Sequence, residues 1–413
     1  MKINNIRLLI VDFISGMAIY KNLNEIRRLE KYSREDLLDM SKRNYLELKK
    51  SINDNPELKI YYNSLQPKKS YSKSDYMDLS YLACVYNNRG VKKSTSGSTG
   101  QPFNYYTSIK SQSYLWAGIL YSWQIAGYEL GENVGILSGS ALNDKSSIKK
   151  KIFNLIMNFT TYDIGSEIQH FEKNFVSDIK KRNIKFVYGY AAVLFQIAKY
   201  LKLNNEYLSV KSVVSTAENL SQEMRDLIEE RFLCKVFDQY GCNDAGLSAF
   251  ECKEHNGFHF LSNRAYVRQV GGMIVSTDCF NSIMPMLDYE TGDLGTVSQK
   301  SCKCGLPFPI ITEVSGRKND FIKSDSRIFH SAFFTNFFKK IKGIQRYQVL
   351  QDSSGKIKVN LESTLINVNV LENAKADLVQ ELGTDVIFDC SGQNFYTRDN
   401  CKTPIISQVR YKL

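Results

Sequence analysis

The sequence predicts a mixed α/β protein, a large layered N-terminal domain followed by a small α+β domain. Two patterns and one bulk property carry that reading. Strand and helix signatures alternate from Ile184 to Tyr240, and the last roughly ninety residues read as helix, two strands, helix and strand. A chain of 413 residues, 43% hydrophobic and 12% aromatic, supplies packed cores for about two or three domains.

Residues 1–60 carry helical periodicity, with oppositely charged residues at helical spacing such as Glu25 and Arg28, and form a helical lead-in. The most apolar stretch, Leu8 to Tyr20, is too short to span a bilayer, contains Asp12 and lacks a small-residue cleavage site, so it reads as the first packed helix of a soluble protein. Tyr81 to Tyr86 is apolar and aromatic, and Phe103 to Thr107 is rich in strand formers. Between them Ser94 to Pro102 reads STSGSTGQP, a strand-to-strand connection inside a domain. Ile184–Tyr188, Val210–Ser215 and Val236–Tyr240 follow as strands, separated by helices over Ala191–Leu203 and Ser221–Phe232. Near the C-terminus, a helix over Phe333–Ile341 precedes strands Ile344–Leu350 and Ile357–Leu361, paired around Ser353-Ser354-Gly355. A helix over Leu371–Leu382 and a strand over Val386–Phe388 complete the small domain. The boundary falls near Arg317 to Asp320, giving 1–318 and 319–413.

Bulk properties narrow the partners. The net charge of +11 could signal nucleic acid, an acidic membrane surface or anionic small substrates; the basic residues are dispersed and no nucleic-acid module is present, which makes nucleic acid the minority reading. Nine scattered cysteines without an export signal predict reduced thiols in a cytoplasmic setting, so clustered cysteines become metal-ligand candidates.

Four clusters carry chemistry. In STSGSTGQP, glycines let backbone N–H groups turn toward an anion, and the hydroxyls of Thr95, Ser96, Ser98 and Thr99 add donors around Gly97 and Gly100. On composition alone the same run is equally a flexible linker. In FDQYGCNDAG, Phe237 to Gly246, a strand ends at Tyr240, Gly241 permits a sharp turn and Asp244 follows. An aromatic ring can stack on a base and a carboxylate can hold Mg²⁺, while a core tyrosine and a turn aspartate are the structural alternative. In LDYETGDLG, Thr291-Gly292-Asp293 is read as a turn projecting a carboxylate suited to a ribose diol. In SGRKNDFIK, Arg317 can reach phosphate or ribose oxygens or form an ordinary surface ion pair.

In order and spacing these clusters resemble the adenylate-forming superfamily of acyl-CoA synthetases, most closely the phenylacetate-CoA ligase branch with its CapK-like proteins. The resemblance runs from about Tyr81 to the C-terminus. It takes in Tyr188-Gly189-Tyr190, similar to the family's segment near the acyl pocket, and Ser215 to Leu220 (STAENL), similar to its adenine-pocket loop. The resemblance implies an ATP-dependent ligase: a carboxylic acid attacks the α-phosphate, pyrophosphate leaves, and a thiol such as CoA or an amine takes the acyl group. Thr95 to Gly100 would clamp the β- and γ-phosphates, Tyr240 and Gly241 with Ala217 and Glu218 would surround adenine, and Asp293 would bind ribose. Asp244 would hold Mg²⁺ and Arg317 would contact ribose or phosphate. The acyl pocket would draw on Trp116 to Gly127 and Tyr188 to Val193.

In Thr397 to Ser407, Lys402 matches the catalytic lysine of the family's mobile lid, which makes 319–413 that lid. Departures are Asp244 for the usual glutamate, Asn319 at the hinge, Ser326 for a glycine, and Cys401 for the glycine before the lysine. They leave a catalytically weakened, nucleotide-binding or scaffold homologue as the alternative function. Cys252, His259, Cys302 and Cys304 make a Cys3His set suited to structural Zn²⁺, with His255 able to substitute for His259. The branch has a similar pattern. A role in capsule or O-antigen polysaccharide assembly follows from the CapK resemblance alone.

Overall fold

The computed structural model of the chain describes residues 3–77, 90–95, 103–138, 148–163, 171–298, 300–317, 321–324, 327–338, 340–363, 368–392, 395–396 and 406–409. In chain order, helices α1 (Ile3–Ser15), α2 (Ile19–Leu29), α3 (Arg34–Asp54), α4 (Pro56–Ser64) and α5 (Lys73–Met77) precede strands β1 (Val91–Thr95) and β2 (Phe103–Thr107). Next come α6 (Ile109–Ile125), β3 (Val134–Ser138), α7 (Ile148–Met157), β4 (Phe159–Asp163), α8 (Phe171–Lys181), β5 (Phe186–Tyr190), α9 (Ala191–Leu203), β6 (Ser212–Thr216) and α10 (Gln222–Phe232). Strands β7 (Val236–Cys242), β8 (Leu247–Phe250), β9 (Phe258–Phe260), β10 (Ala265–Val270), β11 (Met273–Asp278), β12 (Tyr289–Val297) and β13 (Ile310–Arg317) follow. The chain continues through β14 (Phe321–Ser324), β15 (Arg327–His330), α11 (Ser331–Phe338), β16 (Ile344–Gln351), β17 (Ile357–Ser363), α12 (Val368–Leu382), β18 (Val386–Asp389) and β19 (Ile406–Gln408). This mixed α/β architecture is the fold class the sequence predicts.

The chain divides into two compact units. The first holds Met1–Val134, Lys145–Thr160 and Phe237–Val314; the second holds Gly135–Asp144, Thr161–Val236 and Ser315–Leu413.

In the first unit, strands run in the order β10-β11-β12-β13-β9-β8-β7. Local chemistry sets the helix starts: Ser33 caps α3 in a reciprocal box with Asp36, and Asn55 caps α4 with Pro56 in its first turn. The apolar stretch Leu8 to Tyr20 is split between α1 and α2 and is not one helix. Gly16 takes φ +68, and Asp12 accepts the first N–H groups of α2 from Ile19 (2.7 Å) and Tyr20 (2.9 Å). Helix α2 then buries Ile19, Leu23 and Ile26, one stripe at helical spacing. Strands β1 and β2 pair antiparallel, with Thr95 opposite Phe103, so the hydroxyl-rich segment lies between two paired strands, but the strand before it is Val91–Thr95, which takes in Ser94 and Thr95 themselves. Ser96 to Pro102 itself, and Tyr81 to Tyr86, lie outside the described residues.

In the second unit β5 and β6 pair in parallel, Tyr190 beside Thr216, and α9 and α10 pack on them through Ala191, Leu194, Ala198, Leu227 and Ile228. Helix α9 has the bounds the sequence predicts, and Ser221 caps α10 through the Met224 N–H. The C-terminal sheet has the order β18-β17-β16-β19. Its β16–β17 hairpin is antiparallel and encloses Ser353 to Gly355 as predicted, and α11 and α12 close its core through Phe334, Phe338, Leu378 and Leu382.

Candidate functional site

Strand β7 carries Tyr240 and runs on to Cys242, so the sharp turn expected at Gly241 lies further along. It falls at Gly246, where φ is +66 and a side chain would place Cβ 2.3 Å from Cβ of Asp278. Gly241 has a negative φ, and the nearest atom to a Cβ there is the Leu247 carbonyl at 3.5 Å. The turn between β7 and β8 therefore holds Asn243 to Gly246, with Asp244 half-buried within it.

Thr291-Gly292-Asp293 is likewise not a turn. It lies within β12, where three residues of β12 oppose one of β11, Ile274: Met273 pairs with Leu294, and Val275 with Glu290. The extra residues form a bulge around Gly292 at φ +82. Thr291 anchors it by donating its hydroxyl to the Ile274 carbonyl at 2.9 Å. The bulge re-aims Asp293, whose Oδ2 accepts the Tyr240 hydroxyl at 2.8 Å. Burial and the Asp293 carboxylate push the Tyr240 hydroxyl far up, which keeps it a proton donor.

Strand β12 also supplies a partner to Asp244. Tyr289 donates its hydroxyl to Asp244 Oδ2 at 2.7 Å, and Cys242 Sγ donates to Oδ1 at 2.9 Å. Burial, then the Asp244 charge, raises both donors. Tyr105, from the strand that follows the hydroxyl-rich segment, is raised by the same two causes and packs with Tyr289, Ala245 and Cys242 in one apolar cluster. One strand thus orients both carboxylates predicted for the site. An ionised carboxylate offers about four lone-pair sites, so the two donors leave Asp244 able to ligate a cation. Mg²⁺ is commonly held by one or two carboxylates plus substrate phosphates, and Asp244 fits that role. Tyr289, Cys242 and Tyr105 escape the sequence reading. Their only signal is that Tyr289 lies two residues before the Thr-Gly-Asp run.

The second unit places the other predicted residues. Gly189 sits where a Cβ would come 2.7 Å from Cβ of Leu137, which gives it a packing role between strands. Burial pushes the hydroxyl of Tyr188 up to about 12. Ala217 takes a left-handed φ of +67 just past β6, a strained conformation for alanine. Glu218 accepts the Ala192 N–H at 2.9 Å, so its carboxylate lies at the N-terminus of α9. Thr95 and Arg317 end β1 and β13, while Asn319, Ser326, Cys401 and Lys402 lie outside the described residues.

The metal candidates gather closely. Ligand atoms of Cys252, His259, Cys302 and Cys304 all lie within 4.8 Å of one another. Zn–S bonds of about 2.3 Å in a tetrahedron put sulphurs about 3.8 Å apart, and a sulphur about 3.6 Å from an imidazole nitrogen. The distances are 3.7 Å between Cys252 Sγ and Cys302 Sγ, and 3.3 Å between Cys304 Sγ and His259 Nε2. His259 Nδ1 lies 2.8 Å from the Phe308 carbonyl, an arrangement in which Nδ1 donates and Nε2 faces the thiols, and burial favours the neutral ring. His255 is outside the group and pairs instead with Glu251 at 2.9 Å. The donor set and spacing fit a structural Zn²⁺.

No protein-family model matches the chain. It is 26% identical over 335 residues to Protein CapK of Staphylococcus aureus, covering 73% of this chain and 72% of that one. It is 22% identical over 230 residues to a phenylacetate-coenzyme A ligase of Thermus thermophilus, covering 52% of this chain and half of that relative. Among solved structures, 2-hydroxyisobutyryl-CoA ligase with a bound acyl-adenylate matches 95% of this chain and 89% of its own, with TM-score 0.64 and 15% identity. The amide bond synthetase McbA of Marinactinospora thermotolerans matches 76% of this chain and 67% of its own, with TM-score 0.53 and 14% identity.

Proposed function

We propose that the chain, which belongs to the adenylate-forming superfamily in its phenylacetate-CoA ligase and CapK-like branch, joins a carboxylic acid to ATP and passes the acyl group to CoA or an amine. The single observation that carries the site assignment is the double clasp from β12, in which Asp293 holds the Tyr240 hydroxyl and Tyr289 holds Asp244. It supports a nucleotide seated with its base on the Tyr240 ring, its ribose diol on Asp293 and its phosphates toward Asp244.

The chemical problem is charge, because the attacking carboxylate, the α-phosphate and the departing pyrophosphate are all anionic. Backbone N–H groups and hydroxyls of Thr95 to Gly100 would take the β- and γ-phosphates. Arg317 would contact ribose or phosphate from just before the lid, residues 319–413. Lys402 would reach the α-phosphate as it becomes five-coordinate and withdraw when the lid moves. Mg²⁺, held by Asp244, would offset phosphate charge when bound. Zn²⁺ on Cys252, His259, Cys302 and Cys304 would tie together two segments of the first unit without entering the chemistry. Ala217 and Glu218 would border adenine, with Glu218 fixed through Ala192. Tyr188 and Tyr190 would face the acid.

The acceptor is CoA or an amine, the latter on a sugar or amino acid in capsule or O-antigen assembly, and the reaction runs in the cytoplasm. Mass spectrometry of reactions supplied with CoA or amine acceptors distinguishes them. Thioester or amide product supports this reading, and ATP binding with no acyl transfer to either acceptor class identifies the weakened homologue instead.

A further inference from the structure

Helix α1 is apolar on two sides. Leu8 and Val11 are buried, while Ile6, Leu9, Ile10, Phe13 and Ile14 are exposed, Phe13 to 90%. The exposed residues follow helical spacing and form one stripe. Both charged residues of the helix are spent elsewhere: Arg7 donates to the Ile156 carbonyl at 3.0 Å, and Asp12 caps α2. Helix α7, held beside α1 by that Arg7 bond, adds exposed Ile152 and Leu155, the latter 79% exposed. Lys149, Lys150 and Lys151 occupy the first turn of α7, and Lys151 is exposed one turn before Leu155.

We infer that this face docks on an anionic lipid surface. An exposed apolar stripe beside a helix whose first turn carries three lysines, on a chain of net charge +11, is the pattern of a face that lies in the membrane interface. No helix among the described residues is long and apolar enough to cross a membrane, so contact is to one leaflet. None of the exposed residues of this face is among those assigned to the nucleotide site.

Flotation of the full chain with vesicles of phosphatidylglycerol and phosphatidylcholine, against phosphatidylcholine alone, tests this. Binding to the anionic vesicles that weakens with salt is expected. Phe13→Asp should cut it by about tenfold or more, because one aromatic side chain is withheld from the lipid. Its exposure makes Phe13 dispensable for folding, which circular dichroism and unchanged solution activity would register. Charge reversal of Lys149 to Lys151 should abolish the preference for anionic vesicles. Failure of the wild type to bind, or binding indifferent to both variants, overturns the inference. So does a dimer, seen by ultracentrifugation, that Phe13→Asp dissociates while vesicles are ignored.

Discussion

Replacing Cys302 and Cys304 together by alanine removes two of four thiol and imidazole groups on a half-buried turn, with little loss of apolar packing. Their partner Cys252 is 50 residues away in sequence from Cys302. If zinc joins them, the metal closes that loop in the folded state, and the chain-entropy treatment of a cross-link over 50 residues gives about 4 kcal/mol. For a unit of roughly 150–250 residues, each kcal/mol moves the midpoint by about 2–4 °C, so the double variant should melt about 8–16 °C lower. Elemental analysis of purified protein should find one zinc per chain in the wild type and almost none in the variant. A strong chelator should lower the wild-type midpoint by the same amount and leave the variant unmoved. A wild type that carries no zinc yet melts as it does after zinc addition, or a zinc-free variant with an unchanged midpoint, would rule out a structural zinc at this site.

Two further outcomes follow from the geometry and one from the family resemblance. Tyr240→Phe keeps the ring but frees Asp293 from its hydroxyl, and should raise KM for ATP about tenfold in steady-state assays; an unchanged KM would remove Asp293 from the ribose site. Gly246→Ala forces a left-handed alanine into Asp278 and should cost at least about 2 kcal/mol, read as a lower denaturation midpoint, whereas Gly241→Ala should be nearly silent. Lys402→Ala should slow adenylation about 10²–10³-fold with ATP binding retained in calorimetry, and an unchanged adenylation rate would exclude the lysine from that step.

Where local chemistry decides, the sequence reads clearly. Helix α9 needs only its apolar stripe, α10 its serine cap, and the β16–β17 hairpin its Ser-Ser-Gly turn. The Cys and His group is legible because few residue types bind zinc and the chain has only four histidines. Misreadings occur where a distant partner decides. Thr291 to Asp293 has turn residues, yet pairing with β11 draws it into a strand as a bulge. The β7 turn moves to Gly246 because Asp278 closes the space there, and Gly241 meets no such neighbour. Tyr289 matters only through its reach to Asp244, which no local pattern records.

Adenylation itself is tested most directly by ATP–pyrophosphate exchange over a panel of aromatic, sugar and amino acids with Mg²⁺ present. Exchange that depends on one class of acid and disappears in Asp244→Asn is expected. Tight ATP binding with no exchange for any acid would contradict adenylation.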